Sequence, residues 1–206
     1  MTPTTPHRDA AAPSAAIHDL ARARAARMPD VLRRLWQTWS RLGGAGGVPW
    51  RADVTPDLLG DLLPHAMLLD HVRPGTTRVD AAGATWAALL GTETRGLPAR
   101  AFFDLAHRTH ADAVLAQAFD GPATVDIGLA GDGPEGLVEG RMIVLPLRGD
   151  GGVANKALAG LWTPWPVAAA PTRFEIRRHA ATRLAAPRHA APRPVAAGRP
   201  LLSVVG

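Results

Sequence analysis

Val31, Leu35, Trp39 and Leu42 fall at helical intervals, with Leu32 and Trp36 beside them, and predict an amphipathic helix from Asp30 to about Leu42. Asp30 suits the N-cap, and Gly43-Gly44-Ala45-Gly46-Gly47 ends the helix. Ahead of it, Ala15 to Arg27 is rich in Ala and Arg, both strong helix formers, and Pro29 interrupts. Thr55-Pro56 opens a short helix over Asp57 to Leu63. The apolar run Ala66 to Val72 reads as a strand, Pro74-Gly75 as a turn and Thr77 to Ala81 as the partner strand. Ala84 to Leu90 reads as a short helix stopped by Gly91.

Phe102 to Phe119 reads as the longest helix, with Phe103, Ala106, His110, Ala113 or Val114, and Gln117 along one side. Gly121-Pro122 stops it. The pattern then changes period. Ala123, Val125, Ile127 and Leu129 alternate with Thr124, Asp126 and Gly128, the signature of a half-buried strand. Asp132 to Gly136 is a hairpin loop. Leu137 to Leu147 is a longer strand whose middle has the composition of one buried on both sides, and Ala157 to Trp162 is a last strand. Arg173 to Leu184 suits a short strand or a helix.

The order is two helices, two strands, short helices, a long helix and three strands. It predicts an α+β fold with a five-stranded antiparallel sheet and helices packed on one face. The organisation that follows is a disordered or loosely helical segment at 1–29, a flanking helix and Gly-rich linker at 30–49, a domain at 50–166 and a Pro/Ala/Arg-rich tail at 167–206.

Composition sharpens this plan. The chain has 206 residues and no cysteine, which excludes disulfides, thiolate metal sites, cysteine nucleophiles and cysteinyl-linked chromophores. No apolar run reaches the roughly 18–20 residues of a membrane span, and no secretory h-region is present, so a cytoplasmic location is expected. The formal charge of +5 is unevenly spread: +3 over residues 1–35, −4 over 36–170 and +6 over 171–206. An acidic globular part with basic ends argues against a nucleic-acid-binding domain, which carries its basic face on the fold itself.

One stretch carries a resemblance. The tryptophan helix is followed by Arg51-Ala52-Asp53, Pro56, Leu63-Pro64-His65, Asp70, the run Arg78 to Ala84 with Gly83, and then Gly91 and Gly96. This order resembles a family of short bacterial PAS-domain proteins that consist of little besides the PAS fold. The resemblance covers about residues 31–165. It implies a sensory or regulatory module without its own output domain, binding an unidentified small ligand, a protein partner or both. The alternative it leaves open is a ligand-free interaction or dimerisation scaffold. It supplies no catalytic residues and names no cofactor, and the chain is expected not to be an enzyme.

Candidate sites follow from residue type and position. Trp86, Leu90, Phe102, Phe103, Val114, Ile127, Val144 and Trp162 are candidates to line a ligand pocket, because such pockets are mostly apolar and aromatic. The same residue types make ordinary core. Leu35, Trp36, Trp39 and Leu42 are candidates for a dimer interface. Asp104, His107 and His110 lie three apart, and His107 and His110 are the weak candidates for a metal ligand, against the plainer reading of a polar helix face. His65 suits a packing role at the strand entry. Neither Gly-rich turn carries the Lys-Ser/Thr of a phosphate loop, and no Ser, His and Asp sit in an elbow motif.

Overall fold

The computed structural model describes residues 28–44, 47–133, 136–164 and 172–184. The helix expected at Ala15–Arg27 and the chain beyond Leu184 lie outside the described residues. Among the described residues four α-helices and six strands follow one another: α1 (Asp30–Gly43), α2 (Pro56–Leu59), β1 (Ala66–Arg73), β2 (Thr76–Ala82), α3 (Ala84–Leu90), α4 (Arg108–Ala116), β3 (Ala123–Gly133), β4 (Gly136–Leu147), β5 (Lys156–Trp162) and β6 (Phe174–Arg183). Short 3-10 turns fill Arg51–Asp53, Gly60–His65, Ala99–Phe102 and Leu105–His107.

The strands form one antiparallel sheet in the order β2-β1-β5-β4-β3-β6. The fold is therefore α+β, as expected, but the sheet has six strands rather than five. The added strand, β6, lies within the stretch set apart as a basic tail. Phe174 and Ile176 alternate with Glu175 and anchor it to the core, while Arg177, Arg178 and His179 are exposed. Those charged residues hide the alternation in the sequence.

The long helix expected over Phe102–Phe119 is also corrected. Only Arg108–Ala116 is α-helical. The amide of Asp104 donates to the carbonyl of Phe174 at 3.1 Å, and Phe103 pairs with Phe174 in a parallel bridge. That contact holds Phe103 extended, at φ −114° and ψ 151°, and so splits the helical pattern. A tertiary bond overrides the local helical preference here.

Two cores lie on opposite faces of the sheet. The first joins Met67, Leu69, Val125, Ile127, Leu129, Met142, Val144, Ala159 and Leu161 to α3, α4 and the turns between them. The second joins Leu145, Leu147 and Leu158 to Leu32, Leu35 and Trp39 of α1 and to Leu59 and Leu62 of the α2 segment. The middle of β4 is buried on both sides, as its composition predicts.

Helix α1 is fixed by three kinds of contact. Leu32 and Leu35 are fully buried against the sheet. Trp39 Nε1 donates to the carbonyl of Pro146 at 2.7 Å. Arg34 grips Asp61 with two bonds, Nη1 to Oδ2 at 2.8 Å and Nη2 to Oδ1 at 2.7 Å. Trp39→Phe keeps the ring and removes the N–H donor. It is expected to cost about 1–2 kcal/mol in urea denaturation, the loss of one buried hydrogen bond with its acceptor left unpaired.

Candidate functional site

The eight residues expected to line a pocket divide. Trp86, Phe102, Phe103, Val114, Ile127 and Val144 are buried together in the first core, and Leu90 packs at its margin. They touch one another: the rings of Trp86 and Phe102 meet edge to face at 5.0 Å between centroids. Trp162 does not join them. It lies half-buried on the second face, because β5 places Ala159 and Leu161 on the first face and Leu158 with Trp162 on the other. One residue of register decides this.

A described concavity lies elsewhere. A groove of about 370 Å³ opens on the second face, lined by Leu59, Leu63, Pro64, Leu68 and the run Ala81–Ala84. Small side chains at 81–84 leave the space that larger ones would fill. That run drew attention in the sequence for the family order and not as a lining, so sequence reading missed the groove.

The motif residues at the front of the chain tie neighbouring elements together. Gly83 N donates to the carbonyl of Ala66 at 2.8 Å, and Trp86 Nε1 donates to the carbonyl of His65 at 2.8 Å. Arg51 reaches Val54 O and Asp80, both at 3.3 Å, and Lys156 pairs with Asp70 at 2.7 Å. Leu63-Pro64-His65, Asp70 and Gly83 thus act as structural stitches between the 3-10 turn, the first hairpin and α3. His65 packs at the strand entry, with its Nδ1 buried and unpartnered.

The dimer-interface candidates also divide. Leu35 and Trp39 are covered by the chain's own sheet, and only Trp36 and Leu42 keep part of their surface exposed. The two histidines singled out on the helical segment have separate surroundings. His107 Nδ1 accepts from the amide of Ile176 at 3.3 Å, while His110 meets the ring of His179 at 5.4 Å. Among the described residues no three His, Asp or Glu side chains gather as a metal site. His71 stacks on Phe119 at 4.5 Å and shares a 3.2 Å hydrogen bond with Thr77.

Charge is arranged in pairs. Asp126 holds the Arg141 guanidinium above its ordinary value, chiefly through their hydrogen bonds, one of them 2.8 Å from Arg141 Nε. On the outer surface, the hydrogen bonds from Arg34 hold the Asp61 carboxyl below its ordinary value. A depressed carboxyl contributes stability that is present above its unfolded value, about 3.9, and is lost as pH falls through the lower folded value. Arg34→Ala is expected to return Asp61 to the ordinary carboxylate range. Carbonyl-detected NMR titration of both proteins would show the two curves apart, and superposed curves would contradict the pairing.

A family profile described as PAS domain matches residues 27–162. The chain belongs to the PAS family. No curated protein matches it. The profile spans α1 through β5, so the flanking helix lies inside the family's own pattern and β6 lies beyond it. The PAS family is one of sensory and regulatory modules, typically non-enzymatic, and the front-end motif resemblance is confirmed by the match. No helix of the described residues is long and apolar enough to cross a membrane.

Proposed function

We propose that this PAS protein is a regulatory module that acts by binding, and that its sheet relays changes between the aromatic core and helix α1. The observation that carries the reading is the contact at Gly160. A side chain there would come within 2.5 Å of Leu35 Cδ1 and 3.1 Å of Leu32 Cδ2, so α1 rests directly on the β5 backbone. On the other side of the same strand, Ala159 and Leu161 are fully buried in the first core. One strand therefore separates α1 from the PAS core, and close-packed interiors transmit small displacements. A ligand or partner that favours one seating of α1 would shift the population between two arrangements.

A scaffold with a closed core is the second reading, favoured by the mutual packing of Trp86, Phe102 and Phe103. An absorption spectrum and native mass of the purified full chain separate the two. The module reading expects a retained small molecule or a partner, with altered hydrogen exchange in α1 on its removal. Apoprotein mass throughout, with α1 exchange unmoved by any compound in a thermal-shift panel, would contradict it.

A further inference from the structure

Among the described residues Arg148 is the one charged side chain that is buried, with 7% of its surface exposed. Every described ion pair lies elsewhere: Arg51 is committed to Asp80, Lys156 to Asp70 and Arg141 to Asp126. The Arg148 guanidinium has no hydrogen bond or carboxylate among the described residues. Its one described contact is the ring of Trp50, whose centroid lies 5.8 Å from Cζ. A buried cation without a counter-charge is costly, and an aromatic face offsets only part of that cost.

The backbone fixes this pair in place. Trp50 and Arg148 form a parallel bridge, with Arg148 N donating to Pro49 O and Arg51 N donating to Arg148 O, both at 2.8 Å. The turn that follows closes through Gly149 N to Val153 O at 2.9 Å, and Gly152, at φ +78°, lies next to the Trp50 ring. The same turn holds a second unsatisfied group. Asn155 Oδ1 is buried without a partner and sits 2.3 Å from where a side chain on Gly149 would begin. The guanidinium nitrogens are not among the atoms both sealed and unbonded, so the cation keeps contact with solvent.

We propose that Arg148, flanked by Trp50 and the Gly149–Asn155 turn, is a binding site for a small organic carboxylate. A single planar guanidinium matches a carboxylate with two parallel hydrogen bonds, whereas a phosphate dianion is better served by several cations, and the neighbouring ones are taken. The site is separate from the Gly160 relay, so its failure leaves that reading standing.

The test is a titration of the full chain with lactate, glycine, acetate and inorganic phosphate, read by the Arg148 Nε–H resonance and by calorimetry. The expected result is a saturable shift of that resonance by lactate, glycine and acetate. Arg148→Met should weaken affinity about tenfold or more, and Arg148→Lys should retain part of it. Should Arg148→Met fail to fold, the wild-type resonance and Arg148→Lys decide. No saturable shift with any of the acids would overturn the site. So would equal affinity in the variants, or saturation by phosphate alone.

Discussion

Trp86→Ala is expected to lower the stability of the fold by about 3–5 kcal/mol, measured by urea denaturation. The ring is 1% exposed and sits at the centre of the first core. Its removal would leave a cavity, strip Phe102 of its edge-to-face partner and leave the carbonyl of His65 without the indole donor. That last bond ties α3 to the 3-10 turn before β1. Trp86→Phe separates the contributions, because it keeps most of the buried area and removes only the N–H. A loss below about 1 kcal/mol for the alanine variant would mean that the ring is not core.

Gly83→Ala is expected to destabilise by more than about 2 kcal/mol, although it adds one methyl group. A side chain at Gly83 would meet the carbonyl oxygen of Leu63 at 2.0 Å and that of Pro64 at 2.5 Å. Both obstacles are backbone, so the turn or α3 must move. The backbone angles at Gly83, φ −74° and ψ 170°, suit any residue, so the requirement is space alone. Gly75→Ala is the control. Gly75 has φ +71° and open space around it, and its replacement should cost only about 1 kcal/mol of backbone strain. Equal losses at the two positions would contradict the close approach.

Much of this fold can be read along the chain. The first hairpin, α3 over Ala84–Leu90 and the strands β3 to β5 lie where periodicity and turn residues put them, because each combines local propensity with a half-buried pattern. Two elements resist that reading for physical reasons. Phe103 and Asp104 are held extended by Phe174, through a bond across seventy positions that no local window contains. β6 carries Arg177, Arg178 and His179 on an edge strand, where charge guards against pairing with other chains, and that charge leaves Arg173–Leu184 open between strand and helix in the sequence. The site was less legible than the fold. Trp86, Phe102, Phe103 and Val114 read equally well as pocket lining or core, and packing alone shows that they fill their own space. Trp162 needed the register of β5 to be assigned to a face. Arg148 gave no signal in the sequence, since an arginine between a strand and a glycine turn reads as exposed.

The central claim is that the PAS core and α1 are coupled through β5. Methyl NMR of Leu32 and Leu35 in Val144→Ala tests it most directly, because Val144 pairs with Ala159 on β5 and lies in the first core, away from α1. Coupling predicts shifted Leu32 and Leu35 methyl resonances and faster hydrogen exchange along α1. Changes confined to the first core, with both leucines and the α1 amides unmoved, would contradict it.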